Sequence, residues 1–486
     1  MEKRKNLIIY LITALLLVLL FLFFSSTTSP LYPNNYGVDS AFNRFMGLMI
    51  RRGKVLYSDI WDNKGPVLFF LQAIGTLKGT HNADITLTFL MQIASMFLTV
   101  FLLYRAGQEG YSGKINIFRS VFLSVSALSV FCIVIDGGNL SEEWSLPMIA
   151  CSLYLLVKYG ANVKDQPLHP RRYAFVHGLC FGLLAFIRVN NAISICAGLL
   201  VVAIYLAARK KWRNLFENIL FGMLGIAVIA VPICLYFLSK HALGDMLYGV
   251  FAYNLKYASQ RTHKNFTGEE FFIRFLPVIV SLLILCIHWI RVRSFRLLDG
   301  MMALIVAANA VMLWSSNVFW HYYIVYVPVF FLVLLLYVDL PRIPEMAAVL
   351  IVLAFFGYED FQLLSNLQPA REVPDRFAFA ASIPEEEKVS AMGLYVSPEV
   401  YLNSGLIPCS RFAAYHFAHF PVDPAMKEEF LKDMKENSPY WIIYLSGYEG
   451  IITEVQDLLN EKYEWVTEEY GAAYYRMKNE EVRMKK

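Results

Sequence analysis

Six acidic side chains lie in two polar segments that border long apolar runs. They are Asp39, Asp59 and Asp62 in the first segment and Asp136, Glu142 and Glu143 in the second. Two crossings of a membrane would separate these segments, so both could present carboxylates at the same water–lipid boundary. Carboxylates gathered there suit chemistry between a lipid-borne group and an acceptor in water, because they can take a proton or hold a cation.

Composition indicates that the chain is an integral membrane protein. Hydrophobic residues make up 57% of 486 and charged residues 17%, against about 25% charged in a soluble domain. Runs of 18 or more apolar residues recur, and each can cross a hydrocarbon core of about 30 Å. The first run ends near Phe24, is long for a signal peptide and has no A-x-A site after it, so we predict an uncleaved helix.

The apolar runs predict about eleven spans and an orientation. The spans are 7–24, 84–104, 117–135, 144–159, 173–187, 192–208, 215–238, 271–290, 297–314, 319–338 and 345–358. Five basic clusters fall on one face if the N-terminus is cytoplasmic, and basic loops favour the cytoplasm. The clusters lie at 3–5, 105–119, 164–172, 209–213 and 291–296.

This topology places segments 25–83, 239–270 and 359–486 outside the plasma membrane. We predict a transmembrane catalytic domain at 1–358 and a small α/β domain at 359–486. In the latter, strand-like runs at 389–395 and 440–445 alternate with helical runs at 425–435 and 453–461. The runs 463–467 and 472–477 predict a hairpin.

The first outer segment predicts interfacial helices. Residues Asp39 to Arg52 carry apolar side chains at helical spacing, with Arg44, Arg51 and Arg52 elsewhere around the helix, which suits a helix lying in the membrane interface. A second apolar stretch, Pro66 to Leu77, is too short to cross the bilayer.

Several short stretches, in order along nearly the whole chain, resemble the GT-C glycosyltransferases, in the bacterial branch related to protein mannosyltransferases and lipid A aminoarabinose transferases. The matching stretches are Gly37-Val38-Asp39-Ser40, Tyr57 and Asp59 to Lys64-Gly65-Pro66, Gly138-Asn139-Leu140-Ser141-Glu142-Glu143, Phe186-Ile187-Arg188-Val189-Asn190, Trp320-His321-Tyr322-Tyr323, and Tyr401-Leu402-Asn403-Ser404-Gly405 with Ser410-Arg411-Phe412. Many relatives carry an Asp-Glu pair where this chain has Asp39-Ser40, which leaves open how the acceptor or a metal is tuned.

The resemblance implies an inverting transfer of a sugar from a polyprenyl-phosphate carrier to an acceptor outside the membrane. It implies that Asp39 is the general base, since a hydroxyl acceptor must lose a proton to a carboxylate. The leaving phosphate needs cations, and the candidates on the outer side are Lys64, Arg188, Arg261, Lys264 and His321. Asp136, Glu142 and Glu143 are candidates for binding substrate. No cofactor is required, although Glu142 and Glu143 could hold a divalent cation.

Structural roles compete with each of these assignments. Glu142 and Glu143 could only cap a helix, Arg188 could anchor its helix at the headgroups, and His321 beside three aromatic residues fits an aromatic belt. The pair His416 and His419 lacks a third metal ligand, and the seven cysteines show no metal or disulfide spacing. We therefore expect the C-terminal domain to be a lid or acceptor-recognition module.

Two other function classes compete with the glycosyltransferase. A flippase or transporter of lipid-linked sugars should carry ionisable groups within the membrane and an internal repeat, and neither stands out here. A non-catalytic membrane scaffold would need no convergent acids near Asp39. Net charge is only +4, and no nucleic-acid partner is expected.

Overall fold

Residues of this chain form two compact units in the computed structural model. The model describes residues 2–33, 37–82, 85–113, 117–135, 137–259, 268–315, 319–339, 346–347, 349–351, 354, 375–414, 416–445 and 451–478. The first unit comprises Met1–Ser29, Leu90–Leu235 and Thr262–Gln368, and the second comprises Pro30–Phe89, Tyr236–Arg261 and Pro369–Lys486. The second unit thus draws on the three segments that the topology places outside. The predicted domain boundary at 358/359 falls beyond the described residues and stays a prediction.

The first unit consists of long helices built from the apolar runs. They are α1 (Glu2–Ser25), α4 (Leu87–Gly110), α5 (Ile117–Val134), α6 (Ser141–Asn162), α7 (Arg171–Arg188), α8 (Ile193–Ala208), α9 (Trp212–Ser239), α12 (Gly268–Val292), α13 (Leu297–Ser315) and α14 (Phe319–Tyr337), with α4 and α9 continuing into the second unit. Each predicted span from 7–24 to 319–338 falls on one of these helices.

Six helices among the described residues are long and apolar enough to cross a membrane, when α7 and α8 are taken as one segment. The chain is therefore membrane-embedded, whereas the number eleven stays a prediction. The 3₁₀ turn Val189–Ala192 joins α7 to α8. Within the unit, α6 packs on α7, α8, α13 and α14.

The second unit begins with two helices, α2 (Val38–Arg51) and α3 (Pro66–Gly75), that pack on each other. The predicted helix at 39–52 is confirmed. An interfacial helix would expose the Arg44 side chain to water or headgroups, and that expectation is wrong. Arg44 is fully buried and donates hydrogen bonds to Asn82 Oδ1 at 2.6 Å and to the Thr80 carbonyl. Protein covers α2 around Arg44, so this buried guanidinium needs hydrogen-bond partners inside the unit, whereas Arg51 at the end of the helix is exposed.

The middle of the second unit is a short helical segment. It contains α10 (Leu243–Leu247), a π-helix (Tyr248–Ala252) and α11 (Tyr253–Ser259). π-helical turns are rare and occur often at functional sites. Gly249 in this turn leaves room for Tyr57, because a Cβ atom at 249 would lie 2.9 Å from Tyr57 Cδ1.

The last part of the second unit is an α/β domain, as predicted. Its sheet has the order β1-β2-β4-β3, from β1 (Ala391–Leu394), β2 (Trp441–Leu445), β3 (Tyr463–Glu469) and β4 (Ala472–Met477). Strands β1 and β2 are parallel, and β2–β4 and β3–β4 are antiparallel. The helices of this domain are Ala378–Ser382, Glu399–Ser404, His416–His419, Pro424–Asn437 and Ile451–Lys462. The predicted order of strands and helices is confirmed.

Candidate active site

A tight turn in the second unit positions the cation Lys64. Tyr57 has a left-handed backbone conformation with φ of 69°, and its hydroxyl donates to the Lys64 carbonyl at 2.8 Å. Asp62 is buried and accepts the Lys64 backbone N–H at 2.7 Å, while the Lys64 ammonium lies 3.6 Å from Asp62 Oδ1. The lysine side chain is 14% exposed, so the turn holds the ammonium group in a mostly buried position with limited access to solvent.

Lys64 lies over the face of α2 that carries Asp39. Its ammonium is 5.8 Å from the centre of the Phe42 ring. Residues three apart in a helix share a face, and Asp39 is three residues before Phe42 in the first turn of α2. Asp39 is half-buried at the helix N-terminus, where the helix dipole favours a carboxylate. Lys64 thus lies over a residue one helical turn from Asp39, and the roles of Asp39 and Lys64 in catalysis stay predictions.

The C-terminal segment of the chain holds this turn in place. Arg411 donates to the Tyr57 carbonyl at 2.8 Å, and its own carbonyl accepts the Trp61 backbone N–H at 2.9 Å. Arg411 also pairs with Glu429 at 2.7 Å. This tether was not predicted from the sequence, because the two segments are about 350 residues apart in the chain and nothing in either indicates the other.

A second group of polar side chains surrounds the π-helical turn. The ring of His419 stands edge-on to Trp61, and its Nδ1 is hydrogen-bonded to the Tyr253 hydroxyl at 2.8 Å. Burial, with Lys64 nearby, lowers the pKa of His419 to about 3, so this histidine is neutral at physiological pH. The Asn254 side chain donates to the Asn63 carbonyl at 2.7 Å and so ties the helical segment to the residue before Lys64.

Asp423 forms an anionic centre next to this group. The Tyr248 hydroxyl donates to Asp423, and Lys256 lies 3.1 Å from it. Partial burial opposes ionisation, but the hydrogen bonds from Tyr248 and Lys256 hold the pKa of Asp423 below its ordinary value. Burial and the Asp423 charge raise the pKa of Tyr248 to about 12. Neither residue was predicted as part of a site.

The first unit contains a separate polar site at the start of α6. Glu142 is 1% exposed and pairs with Arg188 at 2.7 Å. The Ser141 hydroxyl donates to the other carboxylate oxygen at 2.8 Å. Arg188 ends α7 and enters the 3₁₀ turn, and its side chain is 20% exposed. Two residues predicted to bind substrate thus bind each other.

Glu143 accepts hydrogen bonds at the start of α6, as its structural alternative of helix capping would require. It accepts the Asn139 backbone N–H and two hydrogen bonds from the Gln92 side chain at 3.0 and 3.1 Å. Gln92 in turn accepts from Thr28, so this carboxylate connects α6 to α4 and to the end of α1. The sequence did not indicate that Gln92 contacts Glu143, since a single glutamine in an apolar run can have many roles.

The two glutamates do not fit a divalent cation in this arrangement, because arginine, serine, amide and backbone donors already engage their oxygens. Within the part of the chain that is described, no three His, Cys, Asp or Glu side chains converge. His416 and His419 are each hydrogen-bonded within the second unit. We therefore assign no step to a metal.

The other predicted site residues are not described by the structure at the level of their side chains. Asp136, Arg261 and Lys264 lie outside the described residues, and His321 is on α14 with its side chain outside the description. Their roles remain predictions.

Solved structures show which fold this arrangement of helices and C-terminal sheet represents. The chain is similar to ArnT from Cupriavidus metallidurans bound to undecaprenyl phosphate, at 15% identity and a TM-score of 0.62, over 96% of this chain and 97% of that one. The same protein in the apo state gives 14% identity and a TM-score of 0.61 over 98% of both chains. The archaeal oligosaccharyltransferase AglB from Archaeoglobus fulgidus, in complex with an inhibitory peptide and a dolichol-phosphate, gives 12% identity and a TM-score of 0.54, over 98% of this chain and 75% of that one.

The chain therefore shares its fold with these ArnT and AglB structures, and the predicted resemblance is confirmed at the level of fold. Residues 2–341 match a family model described as "Putative competence-induced protein Ccs4 N-terminal domain". The match covers more than half of the chain, and the protein belongs to this family. A search of curated proteins finds no significant match.

Proposed function

We propose that the protein is a glycosyltransferase that moves a sugar from a polyprenyl-phosphate carrier to an acceptor at the membrane surface. The observation that carries the proposal is the fold similarity over nearly the full length of both chains to ArnT with bound undecaprenyl phosphate. The AglB complex with a dolichol-phosphate has the same kind of lipid. The placement of Asp39 and Lys64 on one side of α2 supplies a base and a cation for that chemistry.

In the proposed reaction Asp39 takes the proton from an acceptor hydroxyl as the oxygen attacks the anomeric carbon. The new C–O bond forms as the bond from that carbon to the phosphate oxygen breaks, which inverts the anomeric centre. The electron pair leaves with the polyprenyl phosphate. Asp39 is suited to this role because it is half-buried in the first turn of α2, where the helix dipole favours a carboxylate.

Lys64 is the proposed counter-charge for the leaving phosphate. Charge develops on that phosphate in the transition state, and a cation fixed beforehand stabilises it without rearrangement. The turn that fixes Lys64 is itself held by Tyr57, Asp62 and Arg411. Arg261, Lys264 and His321 are further proposed contacts to the donor, and Asp136 to the acceptor. Glu142, Glu143 and Arg188 act in this proposal by supporting the start of α6.

The proposed orientation places the second unit outside the cytoplasm and the N-terminus inside. Its support is the charge pattern, because the basic clusters flank the spans on one side only. The proposed acceptor is a component of the cell envelope, and a hydroxyl acceptor is what a carboxylate base requires.

The direct test compares sugar transfer by the purified full-length protein and by Asp39→Asn, with polyprenyl-phosphate sugars and envelope extracts as acceptor. We expect Asp39→Asn to lower kcat by about 10² or more, the usual contribution of a general base. Asp457→Asn, which removes an exposed carboxylate from the same unit, is the matched control and should keep full activity. Equal turnover by Asp39→Asn would refute the assignment of the base.

A second pair of variants tests the cation. Lys64→Gln should lower kcat because it removes charge stabilisation of the leaving phosphate, whereas Lys432→Gln, at a lysine side chain that is 67% exposed, should not. Movement of lipid-linked sugar across vesicles without transfer to any acceptor would instead identify a flippase, and the glycosyltransferase proposal would then be abandoned.

A further inference from the structure

A deep groove in the first unit lies far along the chain from Asp39 and Lys64. It opens between α7, α8 and α9 and encloses about 480 Å³. On α9 its wall runs from Leu215 to Ile226, which at 1.5 Å per residue is a length of about 16 Å. The lining is almost entirely apolar, including Phe181, Leu200 and Met223. A groove of this length and polarity matches the extended part of a lipid acyl chain.

Two histidines in the wall of this groove each leave one ring nitrogen without a partner. His169 and His177 are each 1% exposed, and their rings stack at 5.7 Å. His169 Nδ1 is hydrogen-bonded to Asn218 Oδ1 at 2.7 Å and His177 Nδ1 to Ser152 Oγ at 2.5 Å. Among the described residues, neither Nε2 atom has a hydrogen-bond partner. Buried polar atoms without partners are costly, so an occupant that supplies hydroxyl or ester oxygens would be stabilised here.

The hydrogen bonds around His169 identify its Nε2 atom as an acceptor. The Asn218 amide donates to the His169 and Asn214 carbonyls, so its oxygen accepts from His169 Nδ1–H. The neutral ring then presents Nε2 as an acceptor. The complementary group is a hydroxyl, which a polyol headgroup carries.

A basic recess of about 420 Å³ lies beside the histidine end of the groove. Its walls carry Arg171, Lys210, Lys211 and Arg213 with one carboxylate, Glu217. Glu217 is engaged by Arg171 at 2.7 Å and by Arg213 at 3.1 Å. Asn214 belongs to the recess and donates to the His169 carbonyl at 3.0 Å, which connects the recess to the groove. The net positive charge of the recess suits a phosphate.

We propose that this groove and recess bind one anionic glycerophospholipid of the phosphatidylglycerol type. Its phosphate lies against Lys210 and Lys211, its glycerol oxygens satisfy the two histidine nitrogens, and one acyl chain lies along α9. A zwitterionic lipid lacks the net negative charge that the recess favours. A polyprenyl phosphate lacks the glycerol oxygens. This site shares no residue with the proposed catalytic site, and the proposal holds whether or not the protein transfers sugars.

The test measures lipid binding to the delipidated full-length protein in detergent by native mass spectrometry. The lipids are phosphatidylglycerol, phosphatidylcholine and undecaprenyl phosphate. We expect one tightly bound phosphatidylglycerol. Each lysine near an anionic lipid surface contributes roughly a factor of five, so Lys210→Gln with Lys211→Gln should weaken phosphatidylglycerol binding about twenty-five-fold. The matched control, Lys164→Gln with Arg293→Gln, removes two exposed charges of the same sign elsewhere and should leave binding unchanged.

A second variant separates the groove from the recess. Gly222→Leu places a side chain in the wall of the groove, and its Cβ atom would meet the Ala174 carbonyl at an ordinary 3.7 Å. It should abolish the bound phosphatidylglycerol, whereas Val231→Leu, at an exposed position of α9, should not. The proposal is overturned if phosphatidylcholine binds as tightly, if undecaprenyl phosphate displaces phosphatidylglycerol, or if Gly222→Leu and the lysine variant both bind like the unmodified protein.

Discussion

At the scale of single residues, the pair Glu142 and Arg188 shows what the sequence can and cannot indicate. Both residues stand out in the sequence because charges are scarce near apolar runs, and both were predicted to contact substrate. The ion pair between them could not be predicted from the sequence, since they are 46 residues apart and lie at the ends of different helices. In the structure the carboxylate is 1% exposed and the arginine side chain 20% exposed. A buried charge without a counter-ion is strongly unfavourable.

This difference in burial predicts unequal effects of breaking the pair. Arg188→Gln deprives a fully buried carboxylate of its cation and should cost about 3–5 kcal/mol of unfolding free energy. Glu142→Gln leaves a cation that reaches water, and we expect a cost of at most about 1 kcal/mol. The measurement is the free energy of unfolding of the full chain in mixed micelles.

The double variant supplies the control for this pair. The double variant should cost less free energy of unfolding than the sum of the two single variants, because it leaves no unpaired buried charge. Additive costs, or a larger cost for Glu142→Gln than for Arg188→Gln, would contradict the view that burial of the glutamate dominates.

At the scale of elements, apolar runs predicted the helices well because length and hydropathy alone decide what can cross a bilayer. The strands of the C-terminal sheet were predicted because turn residues and alternating patterns bound them. The burial of Arg44 was missed, because a helical wheel shows one apolar face and cannot show what covers the other. The placement of Lys64 over Phe42 depends on a turn in which Tyr57 has a left-handed backbone conformation. Such a turn usually contains glycine at this position, so the sequence did not indicate it.

The contact between α2 and α3 predicts a sharp sensitivity at Gly47. A Cβ atom there would lie 2.4 Å from the Gln72 carbonyl carbon and 2.6 Å from the Ala73 nitrogen. These are backbone atoms that cannot rotate away, so Gly47→Ala must separate the two helices. We expect a loss of about 1–3 kcal/mol in stability, although glycine to alanine in a free helix is favourable by about 1 kcal/mol.

The same variant should affect transfer activity, since α2 carries Asp39 and the residues just before α3 carry Lys64. A misplacement of about 1 Å can cost about 10² in rate. Gly244→Ala is the matched control, because a Cβ atom there meets nothing within 4 Å. The close approach of α2 and α3 would be refuted if Gly47→Ala proved as stable as Gly244→Ala.

At the scale of the whole molecule, three segments far apart in the chain form the second unit, and two buried histidines lie in the last of them. The charge pattern of the sequence predicts that all three segments lie on one side of the membrane, but it does not indicate how they interact. Burial lowers the pKa of His416 to about 4 and that of His419 to about 3, whereas an unfolded histidine titrates near 6.5. Between about pH 4 and 6.5, these two histidines are therefore protonated in the unfolded chain and neutral in the folded unit.

This difference predicts that the second unit loses stability in mild acid. Because the folded pKa values are depressed, stability is complete above about pH 6.5 and falls as the pH drops towards 3–4, by up to about 1.4 kcal/mol per pH unit for each histidine. The measurement is the thermal unfolding midpoint of the full chain in detergent between pH 4.5 and 7.5. His419→Asn keeps a polar group near the Tyr253 hydroxyl and removes one titration, so its midpoint should fall less steeply with acid. His81→Asn, at an exposed histidine of the same unit, should follow the unmodified protein, and a His419→Asn profile as steep as that of His81→Asn would show that this buried ring does not set the acid response.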